Sequence, residues 1–79
     1  MQQWEYLFIA AQYERAEWRP RYVNGQELED WADGPTLYEF ANQLGAVGWE
    51  LVSAPYTLSE FAAEAVLIPR LVFKRTRHR

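Results

Sequence analysis

The side chains that could perform enzyme chemistry are few. The only histidine, His78, lies next to the last residue, between two arginines. A general base has to be held in place by packing and by neighbouring hydrogen bonds, which a terminal residue lacks. The chain has no cysteine, and the hydroxyl groups of Ser53, Thr57 and Ser59 have no evident base to activate them. The sequence therefore predicts a protein that is not an enzyme, with no catalytic residues.

Four carboxylates form an acidic cluster in the middle of the chain, at Glu27, Glu29, Asp30 and Asp33. Such a cluster can bind a hard cation, but it lacks the alternating ligand spacing and the glycine of calcium loops. We interpret it as a solvated acidic loop and expect neither a metal nor another cofactor. The alternative is a small enzyme whose active site is assembled between subunits near this 27–33 cluster.

A second pair of carboxylates, Glu60 and Glu64, would share one face of a helix if that segment is helical. Paired carboxylates can perform glycoside hydrolysis, but this chemistry needs a cleft that holds a sugar. A chain of 79 residues leaves little room for one, so solvated side chains are the favoured interpretation.

The last ten residues carry five of the eight basic side chains, at Arg70, Lys74, Arg75, Arg77 and Arg79. This basic tail could contact phosphates, which leaves a nucleic-acid-associated module as a second alternative. The formal net charge of -3 argues against a dedicated nucleic-acid binder. A competing interpretation is that the tail pairs with the acidic 27–39 region.

The pattern of the first third of the chain predicts strands, which would position the charged side chains described above. Residues 4–13 are rich in aromatic side chains and predict a strand, and residues 18–23 predict a second one. Pro20 cannot donate a ladder hydrogen bond, so the second strand should lie at an edge or carry a bulge. The pair Asn24-Gly25 predicts a tight turn, because both residues tolerate positive φ. A short, acidic return strand would follow it over 26–31.

One principal helix should follow. Thr36 and Glu39 fit a capping box at its start, and Gly45 fits a left-handed exit at its end. Apolar residues recur at three- and four-residue steps, which predicts one core-facing stripe. The stripe consists of Leu37, Phe40, Ala41, Leu44 and Val47.

The remainder predicts two more strands, over 49–54 and 66–76, with a basic and flexible tail at 76–79. The stretch 57–65 stays open between a short helix capped by Thr57 and Glu60 and a loop across the sheet.

Three short motifs carry a resemblance to a known family. They are Trp4-Glu5-Tyr6, then Leu44-Gly45 followed by Gly48-Trp49-Glu50-Leu51-Val52, and finally Phe73-Lys74-Arg75. In this order they resemble a family of small bacterial domains of unknown function. The resemblance implies an antiparallel sheet with a helix packed on it, and it implies no activity. We interpret Gly45, Gly48, Trp49, Glu50 and Leu51 as structural residues of the motif, with Trp49 packing over the helix end.

Length and composition bound the class of protein. The 79 residues suit a single domain, and 49% hydrophobic and 16% aromatic residues are typical of a folded chain. No apolar run approaches the length of about 18 residues that a spanning helix needs. The start of the chain lacks the basic region of a secretion signal. These features predict a cytoplasmic domain spanning 1–79 with no membrane contact.

Strand periodicity predicts two unlike faces of the sheet. Trp4, Tyr6 and Phe8 share one parity, which we assign to the core under the helix. The other parity is also apolar, with charged residues around it, which is the composition of an interface. The residues expected at this interface are Leu7, Ile9, Val52 and Val72. The alternative is that residues 57–65 cover this face within one chain.

These observations predict an α+β fold of the order β-β-(β)-α-β-β. It consists of an antiparallel sheet of four or five strands with one principal helix packed on one face. The predicted function is a homo-oligomeric scaffold or binding module that binds an unknown protein or small ligand.

Overall fold

A computed structural model, which describes residues 1–60 and 62–77, shows an α+β fold with an antiparallel sheet and one α-helix. The strands are β1 Trp4–Glu14, β2 Glu17–Val23, β3 Gln26–Glu27, β4 Glu50–Ser53, β5 Tyr56–Leu58 and β6 Leu67–Thr76. The helix α1 is Leu37–Ala46, and a 3-10 turn at Trp31–Asp33 precedes it. The predicted α+β class with an antiparallel sheet is thus confirmed, with six strand segments where four or five strands were expected.

The two long strands β1 and β6 lie side by side at the centre of the sheet. The order across the sheet is β3-β2-β1-β6-β4, and β5 also pairs with β6. β4 pairs antiparallel with residues 72–74 of β6. β5 pairs antiparallel with residues 67–69 of the same strand. β4 and β5 therefore form a single outer arm, residues 50–58, which is interrupted at Ala54 and Pro55.

The first three strands form two consecutive hairpins. Asn24 and Gly25 have φ values of 51° and 82°, as a tight turn between twisted strands requires. This confirms the predicted turn, although the return strand is only two residues long. The ladder of β1 and β2 shifts register opposite Pro20, which agrees with the predicted bulge.

The helix begins as predicted and ends differently. Thr36 Oγ1 accepts a hydrogen bond from Glu39 N at 3.3 Å, and Glu39 Oε1 accepts one from Thr36 N at 2.9 Å. The expected left-handed exit at Gly45 is wrong, because the positive φ belongs to Gly48, at 97°. Val47 lies beyond the helix and is 63% exposed, so it does not continue the core-facing stripe.

The core lies between α1 and one face of the sheet. Its centre is formed by Ile9, Leu71 and Phe73, which are 0%, 6% and 2% exposed. The partly buried side chains packed against it are Leu7, Val23, Leu37, Phe40, Ala41, Leu44 and Trp49. The first four members of the predicted helix stripe are therefore confirmed as core-facing.

The assignment of faces along β1 is wrong. In the observed register Leu7 pairs with Phe73 and Ile9 pairs with Leu71. Because paired residues share a face, Leu7 and Ile9 belong to the core under the helix rather than to an uncovered surface. The side chains on the opposite face are those of Trp4, Tyr6 and Phe8.

The C-terminal third also departs from the expectations. Residues 56–58 are a strand, and residues 60 and 62–64 are bends, so the described part of 57–65 contains no helix. Thr76 pairs with Trp4 in the sheet, and Arg77 N donates to Gln3 O at 2.9 Å. The first half of the expected flexible tail is thus part of the sheet, while His78 and Arg79 lie outside the described residues.

Candidate functional site

The face of the sheet opposite α1 carries a row of large aromatic side chains. Trp4, Tyr6 and Phe8 are 41%, 49% and 51% exposed, although they occupy alternate positions of a central strand. In β6, Val72 pairs with Phe8 and Lys74 pairs with Tyr6. We call the surface formed by these five residues the helix-free face.

Three of the four residues expected at an interface lie elsewhere. Leu7 and Ile9 are in the core, and Val52 is 50% exposed at the register shift of β4. Only Val72 lies on the helix-free face, beside Phe8. An exposed apolar face is therefore present, but its β1 residues are Trp4, Tyr6 and Phe8 rather than Leu7 and Ile9.

One end of the helix-free face carries charged side chains from β6 and from the outer arm. Lys74 Nζ lies 4.3 Å from the centre of the Trp4 ring, a cation–π contact. Glu50 pairs with Lys74 in the register of β4 and β6. Unlike charges thus lie side by side at this end, so its net charge is close to zero.

The other end is closed by a side-chain fork from Arg70. Arg70 donates to the two carboxylate oxygens of Glu60 at 3.1 and 2.6 Å, and its Nε donates to Thr57 Oγ1 at 2.9 Å. These hydrogen bonds from Arg70 lower the pKa of Glu60. A depression of about 520 Å³ lies between this pair, Phe8 and Tyr22. The cation at this end is thus already neutralised.

The acidic cluster is spread over separate ion pairs. Glu27 pairs with Arg21 at 2.8 Å and Asp33 pairs with Arg15 at 2.5 Å. Within residues 1–60 and 62–77, no three acidic or histidine side chains converge as metal ligands. Within the described residues of one chain, the ion-pair partners of Glu27 and Asp33 are thus Arg21 of β2 and Arg15 of the turn between β1 and β2, not the basic residues of β6.

The basic residues of β6 do not form one patch. Arg70 and Lys74 project from the helix-free side, whereas Arg75 pairs with Glu5. Alternation along a strand requires this separation. A continuous phosphate-binding stripe is therefore missing from the described part of β6.

Residues from all three motifs converge at one end of the sheet. The guanidinium of Arg75 donates to Glu5 Oε1 and lies 4.2 Å from the centre of the Trp49 ring. Trp49 N donates to Leu44 O at 3.0 Å, which ties the start of the outer arm to the end of α1. A depression of about 350 Å³ beside Gly48 adjoins this contact. Glu5, Trp49 and Arg75 thus join strand ends to the helix exit.

A signal for the correct face was present in the sequence. Glu5 shares the parity of Leu7 and Ile9, and Arg75 shares the parity of Leu71 and Phe73. Pairing Glu5 with Arg75 as unlike charges across two strands would have placed those four apolar side chains on one face.

The helix of the described residues is too short and too polar to cross a membrane. Comparisons of the chain with protein-family models, with curated proteins and with solved structures find no match.

Proposed function

We propose that this chain is a non-enzymatic, self-associating module whose contact surface is the helix-free face and whose partner is a second copy. The observation that supports the proposal is the row of Trp4, Tyr6 and Phe8, each between 41% and 51% exposed. Contiguous aromatic patches on soluble domains mark interaction sites, because water solvates them poorly.

The energetics favour an association of moderate strength. Aromatic side chains present about 150–250 Å² each, so the exposed parts of the three rings leave roughly 300 Å² per copy in water. Burial of both rows gains about 15 kcal/mol at about 25 cal/mol per Å². Association costs about 4–15 kcal/mol in lost freedom. The difference is about 0–11 kcal/mol, and its midpoint corresponds to a dissociation constant of about 0.1 mM.

The edges of the sheet are poorer contact surfaces than its face. Pro20 occupies the part of β2 that β3 leaves unpaired, and it cannot donate a hydrogen bond to a further strand. The outer arm is interrupted by the register shift near Val52 and by Pro55. Such devices prevent edge-to-edge pairing, so a face-to-face contact is the favoured geometry.

The charges of the face suit a second copy. A twofold contact brings the same surface against itself, and a surface with one sign of charge would repel its copy. Here Lys74 lies beside Glu50, and Arg70 binds Glu60. Neither end of the face therefore presents a single sign of charge that would repel the second copy.

A single-stranded nucleic acid is the second candidate partner, because aromatic rows on sheets can stack bases. The contact of Lys74 with Trp4 favours it. The pairing of Arg70 with Glu60 and the net charge of -3 oppose it, since phosphate binding depends on unneutralised cations. We therefore keep it as an outcome of the test.

Light scattering coupled to size exclusion tests the proposal with two matched variants. Phe8→Lys places a charge on the helix-free face, and Val47→Lys places one at a position of similar exposure, 63%, beyond α1. We expect wild type and Val47→Lys to approach twice the monomer mass of 9.4 kDa as concentration rises, and Phe8→Lys to stay monomeric and folded. A wild type that stays monomeric at millimolar concentration contradicts the proposal. Salt-sensitive binding of an oligonucleotide by that monomer would support the second candidate.

A further inference from the structure

A second surface lies on the opposite side of the sheet, beside α1, and does not depend on the proposed self-association. It is a cavity of about 270 Å³ between the helix and the outer arm. Apolar side chains from three elements form its inner wall: Leu37 from α1, Leu51 from the outer arm and Leu71 from β6. The volume is below the range of about 300–1,000 Å³ typical of drug-sized ligands, so it suits a small head group.

Aromatic rings from three further positions border this cavity. They are Trp18 of β2, Tyr38 of α1 and Tyr56 of the outer arm, which we call the aromatic corner. The Trp18 and Tyr56 rings lie 6.1 Å apart with an angle of 78° between their planes. Tyr13 also contacts Trp18, with ring centres 5.3 Å apart and a similar edge geometry. Perpendicular rings form a corner in which a ligand can contact more than one ring.

The charges around the aromatic corner are negative. Glu17 lines the cavity, and no ion pair within the part of the chain that the structure describes involves it. The nearby Arg15 is engaged by Asp33, and Arg19 donates to main-chain oxygens. A cation bound in the cavity would thus meet Glu17 and no unpaired arginine from these two positions.

The geometry points to a binding site for a small organic cation with a quaternary or methylated ammonium head. The faces of aromatic rings carry negative potential that attracts such cations, and Trp is the strongest ring for this contact. Among the described residues no lysine or arginine lines the cavity, so nothing there competes with the ligand. An anion would meet Glu17 without a compensating cation.

Two probes of equal shape separate cation binding from simple apolar binding. Choline is the cationic probe, and 3,3-dimethyl-1-butanol is the neutral alcohol of the same shape. Tetramethylammonium is added as the cationic head group alone. Each is titrated into the full chain while amide and indole N–H resonances are recorded by NMR. We expect shifts centred on Trp18 and Tyr56, and an affinity for the cations about tenfold higher than for the neutral alcohol. Equal affinity for both probes, or no shift up to about 100 mM, overturns the proposal.

Variants locate the site and separate it from the helix-free face. Tyr56→Leu and Glu17→Gln should each weaken choline binding severalfold. Two controls, Tyr6→Leu on the opposite face and Glu29→Gln in the acidic loop, should leave it unchanged. Equal losses in the controls overturn the assignment of the site. Because Tyr6→Leu alters the helix-free face alone, failure of self-association and failure of cation binding are read out independently.

Discussion

Two adjacent residues of one strand show how differently the two faces of this sheet are used. Ile9 is 0% exposed and lies under α1, whereas Phe8 is 51% exposed on the opposite face. Both side chains are large and apolar, so residue type does not distinguish them. Their fates differ because a single helix of ten residues can cover only one face. The comparison indicates that the covered face stabilises the fold and that the uncovered face is available to a partner.

The largest expected effect separates two phenylalanines on these faces. Phe73→Ala should lower the free energy of unfolding by about 3–5 kcal/mol, the usual cost of emptying a buried aromatic position, because Phe73 is 2% exposed. Phe8→Ala should cost less than about 1 kcal/mol in the monomer, since surface changes are small. Urea denaturation at low protein concentration measures both. Similar losses for the two variants would show that both faces contribute equally to the free energy of unfolding.

Two glycines near the end of α1 offer a smaller comparison of opposite sign. Gly48→Ala should destabilise the fold by about 1 kcal/mol, because a φ of 97° is unfavourable for a side chain. Gly45→Ala should stabilise it by about 0.5–1 kcal/mol, since alanine is the better helix former and its Cβ meets nothing within 4 Å. Thermal unfolding of the two variants measures this difference. If both variants were destabilised to the same extent, the left-handed end of α1 would lie at Gly45, as the sequence predicted.

The smallest expected effect concerns the closed end of the helix-free face and depends on pH. The hydrogen bonds from Arg70 hold the pKa of Glu60 below its ordinary value of 4.5. A carboxyl with a depressed pKa in the folded state contributes stability above its unfolded pKa and loses it as the pH falls through the folded value. The stability difference between wild type and Glu60→Gln should therefore be present at pH 7 and shrink below pH 4.5. Denaturation midpoints across this range measure it, and a difference that stays constant down to pH 2 would mean that the pair contributes nothing.

Local chemistry explains which parts of the fold could be predicted. The turn at Asn24-Gly25 and the capping box of Thr36 and Glu39 depend on neighbouring residues alone, and both are present. The same Thr-x-x-Glu spacing recurs at Thr57 and Glu60, where the described residues of 57–65 form no helix. There both side chains bind Arg70 instead, a residue ten positions away from Glu60. The motif was therefore read correctly only where no distant residue competed for it.

The assignment of faces failed for a similar reason. Both parities of β1 are apolar over residues 6–11, so the alternation that normally identifies a buried face is missing there. The face is decided by the register with β6, about 65 residues away, in which Ile9 meets Leu71. The strand Tyr56–Leu58 was not predicted, because three residues are too few to show a strand pattern of their own. They continue the outer arm along β6 beyond Pro55.

Contacts between copies test the central claim most directly. A sample that mixes isotopically labelled and unlabelled chains reports intermolecular nuclear Overhauser effects alone, at a concentration where light scattering shows the dimer. We predict that these effects connect the rings of Trp4, Tyr6 and Phe8 with the same rows of the second copy. Effects that involve Tyr38 and Leu51 on the helix side, with none at Phe8, would contradict the account.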